Sequence, residues 1–216
     1  MTHVADKLIE LLNIEQLEVD LFRGIGSGGE TTTRIFGGHV IAQALMAAYR
    51  TVPDRLCHSL HAYFIRPGDP KIPVIYQVDR ARDGGSFTTR RVVAIQHGKQ
   101  IFNLSASFHV DEEGWNYQHP MPQVGSPEDW PNRDELREAH VAKIPEKYHD
   151  DFLRQRPIEL REVAPRDFFT PEKASDKNQL WFRMESAKGQ GPQMQHCLLA
   201  YASDMNLLGS SLRPHG

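Results

Sequence analysis

The 216-residue chain, of 24.6 kDa, is long enough for one large domain or two small ones, and 39% hydrophobic beside 25% charged residues is the balance of a globular protein in water. A formal net charge of −3 argues against a nucleic-acid surface or attraction to membranes, and no apolar run approaches the roughly 18 residues a bilayer requires. Asp6 and Glu10 interrupt the first apolar stretch as no signal-peptide core allows, and the two cysteines, Cys57 and Cys197, make no disulfide framework, so a reducing compartment, the cytoplasm, is expected.

Residues 4–13 spell a short amphipathic helix with Leu8, Ile9, Leu11 and Leu12 as its apolar set. Leu17, Val19 and Leu21 then alternate with polar partners, predicting one half-buried strand. GIGSGG (24–29) matches G-x-G-x-x-G, but Glu30 and three threonines follow where a dinucleotide-binding turn needs a helix, so a flexible loop is predicted. The nucleophile elbow G-x-S-x-G is missing as well. Residues 31–36 predict a strand, closed by Gly37 and Gly38. HVIAQALMAAYR (39–50) is Ala-rich, with His39, Gln43 and Arg50 as its clearly polar members, and Pro53 stops it. A helix apolar on nearly every side is an enclosed one. The glycines before it either make a tight turn or let a ligand approach the helix N-terminus, where free N–H groups favour negative charge.

Four strands follow in quick succession. They cover residues 57–66, the alternating set Ile72, Val74, Tyr76 and Val78, residues 86–96 with Phe87, Val93 and Ile95 on one face, and the set Phe102, Leu104, Ala106, Phe108 and Val110. Short Gly-containing turns between them predict an antiparallel meander. Such a sheet, curved around the single long helix, would cover it on most sides. Residues 111–157 change character: acidic residues, prolines, Trp115 and Trp130 mark a connector, with an exposed helix at 132–144 and a second short one opened by Pro145.

Strand vocabulary returns at Ile158, Leu160 and Val163 and again over 179–184. Gly189, Gly191 and Pro192 then precede MQHCLLAYASDMNLL (194–208). The order strand, glycine loop, buried helix thus recurs, an internal repeat. Within this second apolar helix lies Asp204, expected near its midpoint. A carboxylate taken out of water must be hydrogen-bonded or paired. It either caps neighbouring backbone or serves as a general base in a dry pocket. The strands that cover the first helix have no counterpart after the second, so the second module lacks most of its sheet. Either the chain is a fragment or a neighbouring chain supplies the cover.

Four segments, IFGGHVIAQAL (35–45), HSLHAYFIRPGD (58–69), DGGSFTTRRVVAIQHGKQIF (83–102) and YASDMNLL (201–208), resemble in order those of the type II acyl-CoA thioesterases, the TesB-like double hotdogs. The resemblance implies an α+β double hotdog in which an antiparallel sheet wraps a long central helix. The first hotdog would span 1–110, the connector 111–157, and an incomplete second hotdog 158–216. It further implies hydrolysis of acyl-CoA to free fatty acid and CoA, without metal or organic cofactor. Its catalytic Asp falls on Asp204, expected to point toward the junction of the two hotdogs. The accompanying hydroxyl and Gln would belong to strands beyond Gly216. A water deprotonated by Asp204 would attack the thioester, and a backbone N–H near a helix start would stabilise the oxyanion.

Other constellations are weaker. Cys57–His58 and His196–Cys197 are sequence neighbours, which diverge on strand and helix alike, so both cysteines are expected to be packing residues. His58 and His61 face opposite ways, and no H-E-x-x-H motif marks a metal site. Gly38 and His58 are the candidate substrate-contacting residues, and Arg90 and Arg91 are expected to be solvated. Asp204-Met205-Asn206 opens the D-x-N-P-x-H pattern of hotdog hydratases, but Leu207 and Gly209 replace its Pro and His. A non-catalytic acyl-CoA-binding module is the other alternative. Unpaired hotdog sheet edges predict a homo-oligomer.

Overall fold

The computed structural model describes residues 4–26, 33–167 and 169–216. In chain order the elements are α1 (Val4–Leu12), β1 (Glu15–Glu18), β2 (Leu21–Gly24), α2 (Gly37–Tyr49), β3 (Leu56–Phe64), β4 (Val74–Asp83), β5 (Phe87–Gln96), β6 (Lys99–His109), α3 (Arg133–His140), α4 (His149–Phe152), β7 (Glu159–Glu162), β8 (Leu180–Arg183), α5 (Pro192–Ser203) and α6 (Leu207–Leu212). The chain groups into two compact units. One contains Asp6–Trp115 and Ala187–Met205; the other contains Asn116–Ser186 and Asn206–Gly216.

In the first unit, six antiparallel strands run in the order β1-β2-β4-β5-β6-β3 around α2. The expected enclosure of α2 is what the structure shows: every residue from Gly38 to Tyr49 is buried. Each of Val40, Ile41, Leu45 and Met46 so buried contributes roughly 1.5–3 kcal/mol, and the alanines less. The polar members need partners, and Gln43 has them: its Nε2 donates to the carbonyls of Leu11 (2.6 Å) and Ile25 (3.3 Å), and its Oε1 accepts the Tyr76 hydroxyl (2.8 Å). His39 does not; neither ring nitrogen makes a hydrogen bond of normal geometry with any of the described residues. The β5–β6 turn is built on His97 (φ 48°) and Gly98 (φ 69°), whose left-handed backbone matches the twist of a two-residue hairpin.

Several expectations are corrected. The strand predicted from Leu17, Val19 and Leu21 is two strands, because Asp20 adopts φ 61° and folds β1 back on β2, leaving Leu17 and Val19 exposed. Residues 33–36 are not a strand; the Ile35 N–H donates to the Gly68 carbonyl (2.9 Å), and the rest of that predicted strand, with residues 27–29 of the glycine loop, lies outside the described residues. On β5 the face shared by Phe87, Val93 and Ile95 is the outer one. Its core side presents Thr88, Arg90, Val92, Ala94 and Gln96. Arg90 is therefore not solvated but 1% exposed. Its guanidinium donates to Thr51 Oγ1 (2.8 Å) and the Thr51 carbonyl (3.0 Å), to Asp83 (2.6 Å) and to the Arg82 and Thr89 carbonyls, tying the end of α2 to β4 and β5.

The predicted second helix is also shorter than its apolar run. α5 ends at Ser203, whose hydroxyl donates back to the Ala200 carbonyl (2.7 Å), and Asn206 takes a left-handed φ of 64° before α6 begins. Short polar side chains that compete for local backbone groups break the helix there. Asp204 is thus the C-cap of α5, not its midpoint. Nor is the run apolar on every buried side: Cys197, Leu198, Ala200 and Tyr201 are buried, but Leu199 is 55% exposed.

In the second unit, α3 opens with a capping box in which Asn132 accepts the Asp134 N–H (3.0 Å) and Glu135 accepts the Asn132 N–H (2.9 Å). β7 and β8 form an antiparallel pair with Leu160 opposite Phe182.

Candidate active site

α5 lies antiparallel to α2. Near the start of α5, His196 Nδ1 meets the Tyr49 hydroxyl at 2.7 Å; at the other end, the Tyr201 ring stands edge-on to Phe36 at 5.1 Å. The Tyr49 hydroxyl also accepts the Cys57 N–H (2.9 Å), so this buried phenol joins α2, β3 and α5, and burial pushes its pKa up to about 12. Neither Tyr49 nor His196 was signalled as a pair by the sequence, since no local pattern relates residues that far apart.

This packing delivers the C-terminal end of α5 to the N-terminus of α2. Phe36 precedes that helix and has no side chain able to cap it. Asp204 supplies the missing cap from α5: its Oδ2 accepts the Gly38 N–H at 3.0 Å. The glycines are required by this approach. A Cβ on Gly37 would stand 2.5 Å from Asp204 Oδ2 and 2.7 Å from Phe64 Cζ, and one on Gly38 would stand 2.2 Å from the Tyr201 carbonyl oxygen. Asp204 is half-buried, and desolvation raises its pKa above the ordinary carboxylate value, the Gly38 hydrogen bond offsetting part of the rise. No other hydrogen bond to this carboxylate is found among the described residues.

Asp204 forms part of the wall of a cavity of about 600 Å³, with Phe36, Gly37, Val40, Phe64 and Ile101 as apolar neighbours. The site is therefore a carboxylate, anchored by one oxygen, at the edge of a largely apolar space whose wall also includes Arg34 and Arg66. That arrangement suits accepting a proton from a water beside an apolar substrate.

The other sequence candidates fall elsewhere. Gly38 is at the site, but its N–H is engaged by Asp204. His58 is not brought to the cavity. It is exposed on β3, where it is the extra residue of a bulge, with Nε2 2.8 Å from Ser107 Oγ. The bulge also breaks the strict alternation expected along this strand. Burial raises both thiols, Cys57 to about 11, which leaves them protonated and unsuited to nucleophilic attack at neutral pH. Among the described residues, no group of three or more His, Cys, Asp or Glu is arranged to hold a metal ion.

An antiparallel sheet curled around an enclosed helix, with a carboxylate at that helix's N-terminus, defines a hotdog protein. The fold is shared with a hot-dog-fold protein from Alicyclobacillus acidocaldarius (TM-score 0.69, 21% identity, 94% of this chain and 69% of that one). The chain belongs to the TesB-like type II acyl-CoA thioesterase family. Residues 27–109 match the acyl-CoA thioesterase N-terminal domain and residues 148–216 match the acyl-CoA thioesterase family. It is 38% identical to acyl-CoA thioesterase 2 of Haemophilus influenzae over all of this chain and 75% of that protein. It is 39% identical to the acyl-CoA thioesterase II TesB2 of Mycobacterium marinum, with a TM-score of 0.73 over 97% of this chain and 71% of that one.

Proposed function

We propose that the protein hydrolyses acyl-CoA thioesters to free fatty acid and CoA, with Asp204 as the general base. The observation that supports this most is the Asp204 carboxylate, held by the Gly38 N–H with one oxygen and bordering the apolar cavity of Phe36, Val40, Phe64 and Ile101. In this reading the acyl chain lies in the cavity with its carbonyl near Asp204. The carboxylate takes a proton from water, whose oxygen bonds to the carbonyl carbon; the C–S bond then breaks and the CoA thiolate takes up that proton from Asp204, which restores the base. No residue of this chain is assigned to the hydroxyl and amide that the family resemblance adds to the Asp. The raised Asp204 pKa brings the base closer to neutrality, which strengthens it. The hydratase reading is not favoured, because Leu207 and Gly209 occupy the places of its Pro and His.

The working compartment is the cytoplasm and the working form a homo-oligomer. Two free cysteines support the first, together with the fact that no described helix is long and apolar enough to cross a membrane. The open edge of β3, with Tyr63 and Phe64 exposed along it, supports the second. The domain reading put forward is 1–110 as a first hotdog, 111–157 as a connector and 158–216 as part of a second.

The test is incubation of the parent and its Asp204→Asn variant with decanoyl-CoA and a chromogenic thiol reagent. The parent is expected to release CoA and the variant to release it about 10²–10⁴-fold more slowly. Equal rates would remove Asp204 from the chemistry.

A further inference from the structure

The unit formed by Asn116–Ser186 and Asn206–Gly216 has a cavity of its own, of about 650 Å³, and its wall is rich in guanidinium groups. Arg133, Leu136 and Arg137 share one face of α3 by their i, i+3, i+4 spacing, and Arg156, Arg166 and Phe152 join them. Arg133 is spent on Glu162 and on Asn206 Oδ1 (2.9 Å), and Arg137 reaches Asp134 at 3.2 Å. Arg166 is different. Its Nε and Nη2 are sealed from solvent, and neither finds an acceptor among the described residues.

Buried guanidinium donors without acceptors are rare, and a missing anion or water is the usual reason. The acids around this cavity do not fill the role. Glu162 is taken by Arg133, Asp151 pairs with Arg154 at 2.7 Å, and Asp167 accepts the N–H groups of Phe169 (2.7 Å) and Thr170 (3.1 Å) in its own loop. Burial is the chief cause that lowers the Arg137 pKa, with Arg156 and Arg133 adding to the fall and Asp134 offsetting part of it.

We propose that this cavity binds an organic oxyanion, a carboxylate or phosphate group on an apolar or planar body, with Arg166 receiving the oxygens. The planar fork of Arg166 matches two oxygens of such a group, and Arg137 and Arg156 add charge. A cavity of about 650 Å³ is far larger than a bare oxyanion, and Leu136 and Phe152 give the body an apolar seat. This inference stands apart from the hydrolysis read at Asp204. A fatty carboxylate and a nucleoside phosphate share the required chemistry.

Titration calorimetry with decanoate and, separately, adenosine 3′,5′-bisphosphate tests it on the parent, Arg166→Gln and Phe64→Ala. Saturable one-to-one binding of a probe is expected, weakened at least tenfold in Arg166→Gln and by rising salt, and unchanged in Phe64→Ala, which alters only the other cavity. A response to decanoate identifies the carboxylate source, and a response to the bisphosphate identifies the phosphate source. If circular dichroism shows Arg166→Gln unfolded, Arg137→Gln is read by the same criterion. Failure of both probes to bind, equal affinity in the arginine variant, or loss of binding in Phe64→Ala overturns the proposal.

Discussion

Asp204 Oδ2 accepts the Gly38 N–H at 3.0 Å across 166 positions of sequence, so one carboxylate ends α5 and begins α2. The contact is the backbone cap that an isolated buried Asp would be expected to make. It also leaves the second carboxylate oxygen available, so capping and general-base action are compatible in the same residue.

Stability and activity should therefore part company in Asp204→Asn. The folded-state pKa of Asp204 is raised, chiefly by burial, so its contribution to stability is present below the unfolded value and is lost as pH rises through the folded one. Near neutral pH the ionised carboxylate works against folding, and the Asn amide oxygen can still accept the Gly38 N–H. Melting temperature at pH 7 should stay level or rise while kcat falls. The acid limb of the parental rate profile should lie above the ordinary carboxylate range.

Replacing either glycine should reverse the usual helix preference. Gly→Ala inside a helix ordinarily gains up to about 1 kcal/mol. Here the new methyl would stand 2.2 Å from the Tyr201 carbonyl at Gly38, or 2.5 Å from Asp204 Oδ2 at Gly37. Overpacking of this kind costs about 1–3 kcal/mol. Denaturant titration should show both variants destabilised, and Gly37→Ala should also lose CoA release because the carboxylate is displaced.

Acid should weaken the fold through His39. Burial lowers its pKa from 6.5 to about 4, the nearby Gln43 amide offsetting part of the fall. Both folded and unfolded states hold the neutral ring above pH 6.5, so stability there is unaffected. As pH drops from 6.5 toward 4 the unfolded chain takes up the proton first, and about 3 kcal/mol is lost across that window. Urea midpoints measured from pH 7.5 to 4 should show this slope in the parent and a flatter one in His39→Leu.

Arg90 should be indispensable to the first unit. Arg90→Met fills much of the same volume but takes the Nε and Nη2 hydrogens away from the buried Thr51 hydroxyl, which keeps only its bond to the Ala48 carbonyl, and from the Thr51 carbonyl. Groups left unsatisfied in a core cost about 1–3 kcal/mol each. A loss of several kcal/mol by chemical denaturation is expected, whereas Arg91→Met, on the exposed side of β5, should change little.

The open edge of β3 should be covered by a second copy in solution. Light scattering should give a mass above the 24.6 kDa of one chain, and Tyr63→Lys with Phe64→Lys on that edge should shift it toward the monomer.

The enclosed helix and the β4–β5–β6 meander were legible in the chain because their signals are local; that β3, expected beside β4 as the first strand of that meander, pairs with β6 instead was not. Ala-rich apolar residues from Val40 to Ala48 leave no solvated face, and the His97-Gly98 turn between two alternating runs sets the β5–β6 register. Asp204 was legible as well, since a carboxylate within an apolar run stands out. What surrounds it was decided only by tertiary packing. The break of α5 at Ser203, the cap across to Gly38 and the Tyr49–His196 contact depend on α5 lying antiparallel against α2, and no periodicity encodes which helix another will meet. The same holds for Arg90. Its sequence neighbours mark it as a surface base, but the pleat turns it inward, and burial is tolerated because Thr51, Asp83 and two strand carbonyls converge on its five donors.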